Sequence, residues 1–124
     1  MNFPSNLKYA KSHEWVKDLG NSLFEIGISD YAQKELGDIV YVNLPKQGGK
    51  LEAGKSFADV ESVKAVSDIF SPINGTVKEV NETVLSSPEI INKAPYETWL
   101  IRAEGSMGGE LLNAGDYEKS LNTR

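Results

Sequence analysis

The chain has 124 residues, 40% of them hydrophobic and 25% charged, which suits one ordinary globular domain and leaves little room for a second. A formal net charge of −5 argues against a nucleic-acid partner, because phosphate binding needs clustered Lys and Arg. With no cysteine and a single histidine, His13, the chain has no means to build a disulfide framework, a thiolate metal site, a cysteine nucleophile or a multi-histidine metal centre.

In chain order, residues 1–6 show neither a basic-then-apolar signal peptide nor an Arg-rich transit pattern, and no later apolar run approaches the roughly 20 residues that span a bilayer. Residues 22–28 place Phe24, Ile26 and Ile28 on one face, the period-2 signature of a half-buried strand. Residues 30–37 read as about two helical turns, with Asp30 as N-cap, Gln33 three residues later and Gly37 as the stop. Residues 38–44 read as a strand with Val40, Val42 and Leu44 on one face, ended by Pro45.

Shorter strand-like runs follow at 57–61, 66–70, 76–80 and 99–102, punctuated by Gly48-Gly49, Ala53-Gly54-Lys55 and Asn74-Gly75, the last a hairpin signal. Residues 87–92 offer Ser87 as cap and Pro88 at the first helical position, enough for one turn. Residues 110–114 and 116–121 read as one or two helices that pack Leu111, Leu112, Tyr117 and Leu121 on the sheets, with Gly115 between them. Many short strands at close spacing read as a sandwich or barrel. There is no linker, so one domain is expected over residues 1–124, with a core at about 7–105 and a C-terminal helical segment at about 108–121.

The stretch 60–77 carries the chemistry. Two strand-like runs are joined through Ser62-Val63-Lys64-Ala65, which sets Lys64 at or near a hairpin tip. A lysine on a short, well-anchored turn projects into solvent, where a modifying enzyme reaches its amine without unfolding the carrier. Rigid flanking strands also fix where a long arm begins.

From Leu7 to about Tyr117 the chain resembles the glycine cleavage H protein. The matching blocks are Tyr9-Ala10-Lys11-Ser12-His13-Glu14-Trp15-Val16, Gly27-Ile28-Ser29-Asp30-Tyr31-Ala32-Gln33, Leu36-Gly37-Asp38-Ile39-Val40-Tyr41-Val42-Asn43-Leu44-Pro45 and Val60-Glu61-Ser62-Val63-Lys64-Ala65. Ser67-Asp68, Ser71-Pro72, Gly75, Glu79-Val80-Asn81, Asn92 and Pro95-Tyr96 follow in the family's order. The resemblance implies a mainly β fold, a barrel-sandwich hybrid of two antiparallel sheets with short helices and C-terminal helical structure.

It also implies lipoate joined through an amide to Lys64, within the attachment hairpin of Glu61, Ser62, Val63 and Ala65. Glu61 is then either a feature read by the lipoylating enzyme, a lipoate ligase or a lipoyl/octanoyl transferase, or plain hairpin chemistry. Glycine decarboxylase, a pyridoxal-phosphate enzyme, would load an aminomethyl group onto the arm. A tetrahydrofolate-dependent aminomethyltransferase would take the one-carbon unit, and dihydrolipoyl dehydrogenase would reoxidise the dithiol. By the same analogy Ser12, Glu14 and Asp68 line a cleft for the loaded arm, where a protonated amine finds hydroxyl and carboxylate acceptors.

The chain would be a non-enzymatic, monomeric carrier without membrane or nucleic-acid partner, in a bacterial cytoplasm, or in a mitochondrial matrix after removal of a transit segment. An H-like protein that relays lipoyl groups to other enzymes is the alternative. A biotinyl domain fits less well, since Val63 and Ala65 rather than methionines flank the lysine; a 2-oxoacid dehydrogenase lipoyl domain lacks the His13-Glu14-Trp15 block. The absence of cysteine agrees with a carrier whose dithiol must not exchange with its own thiols. His13 has no triad-like companions and reads as structural, and Trp15 and Trp99 read as core or cleft-wall aromatics. Pro95-Tyr96-Glu97-Thr98-Trp99 is shorter than the family's segment and lacks its glycine, a change expected to bear on the cleft or on partner docking.

Overall fold

The computed structural model describes residues 1–122. Seven strands form one antiparallel sheet: β1 (Lys8–Ala10), β2 (Glu14–Gly20), β3 (Leu23–Ile28), β5 (Lys50–Leu51), β8 (Ile73–Val80), β9 (Ile101–Met107) and β10 (Leu111–Leu112), in the order β10-β1-β2-β3-β9-β8-β5. A second antiparallel sheet has the order β4-β6-β7, from β4 (Ile39–Asn43), β6 (Ser56–Ser62) and β7 (Val66–Phe70). Four short helices complete the described residues: α1 (Asp30–Leu36), α2 (Glu82–Ser86), α3 (Ile90–Lys93) and α4 (Ala114–Asn122). This is the mainly β, two-sheet architecture expected from the sequence. None of these helices is long and apolar enough to cross a membrane.

Burial of the inward faces holds the two sheets together. Ile28, Ile39, Val42, Val60, Ile69 and Leu100 form one apolar cluster, and Val16, Phe24, Ile26, Ile73, Val77 and Ile101 form another. Phe57 packs against both. Removing such side chains from water supplies most of the driving force for this fold, about 1.5–3 kcal/mol for each large residue. A third, aromatic cluster of Tyr9, Trp15 and Tyr117 lies at the end where α4 returns.

Several local expectations are corrected. Val40 does not share the face of Val42: a β-bulge between Ile39 and Tyr41 resets the alternation, so Ile39 and Val42 are buried while Val40 is 51% exposed. Asn74-Gly75 makes no hairpin turn and lies inside β8, where Gly75 faces Gly105 of β9. Ser29, not Asp30, caps α1, accepting the Ala32 N–H at 3.2 Å, and Asp30 opens the helix and accepts from the Gln33 side chain at 2.7 Å.

Further along, Glu89 precedes α3 without any side-chain cap, so Ser87 contributes only its carbonyl, to the Ile90 N–H. The strand expected at 99–102 begins at Ile101 and runs on to Met107. Leu111 and Leu112 are strand rather than helix, paired with Ala10 and Tyr9, and the C-terminal helix starts at Ala114 and runs through Gly115. Strands β1 and β2 and helix α2, capped by Asn81, were not singled out in the sequence.

Candidate functional site: a lysine hairpin beside a cleft

Residues 63–65 join β6 to β7. Ser62 ends β6 and organises the turn from below: its N–H donates to Ala65 O at 2.8 Å, and its hydroxyl accepts from the N–H groups of Lys64 at 3.3 Å and Ala65 at 3.1 Å. This is the serine turn chemistry that fixes a backbone without a ladder. The Val63 N–H donates to Asp38 O at 3.0 Å, which ties the tip to the chain entering β4. Ser62 is buried, whereas Val63 and Val66 are 69% and 67% exposed on either side of Lys64. Glu61 is exposed, in register with Tyr41 and Val66 on the outer face of the sheet.

Lys64 is exposed and forms no ion pair among the described residues. Its side chain runs past Gly37, where a Cβ would stand 3.5 Å from Lys64 Cε. Gly37 ends α1 at φ 79°, ψ −156°, a region open essentially to glycine alone. A lysine beside the carbonyl end of a helix is favourably placed for its charge.

Next to Gly37 a cleft of about 200 Å³ opens between three segments. Ser12 and His13, between β1 and β2, form one wall; Tyr31, Ala32, Glu35 and Leu36 of α1 form the other; Ser67 of β7 closes the lysine side. Of the residues expected there, Ser12 is present. Glu14 lies beneath it, 1% exposed, its Oε1 accepting a short hydrogen bond from the Ser12 hydroxyl and its Oε2 accepting from the Phe70 N–H at 3.0 Å. Its carboxyl thereby links β2 in the large sheet to β7 in the small one. Asp68 is not in the cleft: it lies opposite Asp59 and accepts from Ser56 Oγ at 3.3 Å, on the other side of the strand from Ser67.

Burial pushes the Glu14 carboxyl above its ordinary range, opposed by the hydrogen bonds from Ser12 and Phe70. A raised carboxyl favours folding fully below the unfolded value, and that contribution is lost as pH rises through the folded one. The Tm of the wild type minus that of Glu14→Gln is therefore expected to fall as pH rises above the ordinary carboxylate range, as followed by thermal melts. A difference that grows as pH rises would show that the hydrogen bonds, not burial, control the group.

A buried network supports the cleft walls, and nothing local in the sequence announces it. Tyr117 Oη lies 2.8 Å from His13 Nδ1 and 2.7 Å from Ser29 Oγ, across 104 and 88 residues. His13 sits at φ 83°, its N–H donating to Ala10 O and its carbonyl accepting from the Ser29 N–H, both at 2.9 Å. Its ring meets Tyr31 at 4.7 Å between centroids. The structural reading of His13 agrees with these contacts, as it does for the buried Trp15, whose Nε1 donates to Pro95 O at 3.0 Å. Trp99 is half-buried against the aromatic cluster, with the Arg102 guanidinium 4.1 Å from its ring.

Comparison with known proteins gives a consistent answer. The family model described as glycine cleavage H-protein matches residues 7–124. The glycine cleavage system H protein of Vibrio atlanticus is 50% identical over 120 residues, covering 96% of this chain and 95% of that protein. The protein of the same name from Opitutus terrae is 51% identical over 124 residues, covering 97% and 98%. The crystal structure of a glycine cleavage system H protein from Mycobacterium marinum superposes with a TM-score of 0.91 at 34% identity, covering 97% of this chain and 99% of that one.

Proposed function

The chain belongs to the glycine cleavage H-protein family, and from that premise we propose that Lys64 is the residue that carries its lipoyl group and that the cleft beside it shelters the loaded end of the arm. The protein is a carrier and not an enzyme: it moves the aminomethyl unit of glycine between the components of glycine cleavage. Lipoate held as an amide supplies a reversible disulfide–dithiol pair; the chain's own residues supply anchorage and shelter.

The observation that carries this reading is Lys64 itself, exposed and without an ion pair, on a turn whose backbone the Ser62 hydroxyl holds from beneath. Gly37 puts no side chain against the lysine stem, and the ordered turn gives the arm a fixed starting point. Glu61, Val63, Ala65 and Val66 form the surface that the lipoate ligase or lipoyl/octanoyl transferase reads, with apolar contact on both sides of the lysine. In the cleft, the Ser12 and Ser67 hydroxyls are the acceptors for a protonated amine, and Glu14 orients Ser12 from below. Asp68, on the outer face beside Ser56, takes no part in the cleft.

The chain acts as one carrier domain in the bacterial cytoplasm and as a monomer. Glycine decarboxylase and the aminomethyltransferase meet it in turn, and dihydrolipoyl dehydrogenase reoxidises the arm. Intact-mass analysis after incubation with lipoate ligase, lipoate and ATP tests the anchor. One lipoyl addition is expected on the wild type and none on Lys64→Ala; equal addition to both would remove Lys64 from the reading.

A further inference from the structure

The cleft has two walls that belong to different parts of the chain, and the Tyr117 hydroxyl of α4 touches the support of both. On one side it bonds His13, which lines the cleft; on the other it bonds Ser29, whose Oγ also accepts the Ala32 N–H and so fixes the start of α1. We infer, resting on the reading that the cleft shelters the loaded arm, that Tyr117 is a positioning residue whose hydroxyl sets the spacing of the walls, so that docking of α4 shapes the cleft.

Three observations converge on it. Tyr117 is fully buried and its ring is held on two sides, stacked on Tyr9 at 4.7 Å and 5°, and edge-on to Phe3 at 5.4 Å and 89°. The hydroxyl is therefore placed by packing and not by its hydrogen bonds alone. His13 stands at φ 83°, a conformation that a β-substituted residue adopts at some cost, and the Tyr117 contact is one of the bonds that hold it there. Finally, Glu118 and Leu121 of α4 border, with Met1, Phe3 and Tyr31, a second cavity of about 290 Å³ on the far side of Tyr31. The helix thus borders the same cavity as the aromatic side chain that lines the cleft, and bonds the histidine facing it.

The hydrogen-bond chain is complete in either direction. Ser29 can donate to Tyr117 and Tyr117 to His13, or the reverse with His13 protonated at Nδ1; among the described residues no buried side-chain polar atom lacks a partner. Removing the one hydroxyl in the middle takes one hydrogen bond from each neighbour, from His13 at the cleft and from the fully buried Ser29.

Tyr117→Phe keeps the ring and its stacking. Tyr9→Phe is the control, since the Tyr9 hydroxyl belongs to the same stack but donates to Pro4 O at 2.7 Å, away from the cleft. Both variants and the wild type are lipoylated, and amide NMR spectra are recorded before and after loading with glycine and glycine decarboxylase; amide exchange is measured on the unmodified proteins. All three are expected to take up the lipoyl group equally. Loading should move the Ser12, Ala32 and Ser67 signals in the wild type and Tyr9→Phe, and by at least about fivefold less in Tyr117→Phe. Exchange at Ser29 and Ala32 should quicken about tenfold or more in Tyr117→Phe alone. Equal shifts in wild type and Tyr117→Phe, or the same losses in Tyr9→Phe, would overturn the role of the hydroxyl while leaving the cleft reading intact. Loading that moves no cleft signal in the wild type would overturn the cleft reading, and the positioning role with it.

Discussion

Lys64→Arg is expected to reduce glycine–bicarbonate exchange with glycine decarboxylase to background while leaving Tm within about 2 °C of the wild type. The side chain is exposed and makes no ion pair among the described residues, so its loss removes no buried contact. Arginine keeps the positive charge and the length, and hence any attraction the lysine exerts on its surroundings. It differs in being a delocalised guanidinium that is always protonated and gives no amide with an acyl donor. Activity and fold should therefore separate completely. Residual exchange above background would mean that another lysine carries the arm, and a large fall in Tm would mean that the hairpin, not the anchor, had failed.

Gly75→Ala should do the opposite: destabilise the whole protein with no direct effect at the site. Gly75 of β8 and Gly105 of β9 are direct cross-strand partners, and the two backbones approach so closely that a Cβ on Gly75 would stand 2.1 Å from Glu104 O. A Cβ on Gly105 would stand 2.0 Å from Asn74 O. A backbone carbonyl inside a ladder has no rotamer by which to retreat, so relief requires the strands to part. Overpacking of a well-formed interior costs about 1–3 kcal/mol and occasionally more, and this contact belongs at the upper end. A fall in Tm of about 10 °C or more is expected in thermal melts. A change of under about 2 °C would show that the strands separate freely at this point.

The same pair shows where sequence reading stops. Asn-Gly signals a hairpin because both residues tolerate positive φ. Gly75 is not among the positive-φ residues here; its use lies in the missing Cβ, a property of the strand opposite and invisible in a local window. Val40 departs from the alternation for a related reason, since a bulge shifts phase without changing the hydrophobic string. The lysine hairpin is legible because Ser62, Val63, Lys64 and Ala65 are adjacent and their turn is made by their own atoms.

The cleft was only partly legible. Its walls come from segments around positions 12, 31–36 and 67, and the network behind them joins residues 88 and 104 positions apart. Ser67 and Asp68 are neighbours with opposite orientations, and the run around them gives no clear phase: Val66 faces out while Ile69 faces in. Only the pairing of β7 with β6 decides which of the two reaches the cleft.

A turn held this firmly has a consequence for how long partners keep hold of the carrier. Capture of a loose loop would freeze several backbone residues, each at about 1–2 kcal/mol, and a partner would need a broad grip to offset that. At Lys64 the turn is ordered before any encounter, tied by Ser62 beneath and by Asp38 at the side. Binding then immobilises little beyond the arm, and a small contact area suffices for delivery. Small contacts release quickly, so stillness at the anchor favours brief residence on each partner and a rapid circuit among them.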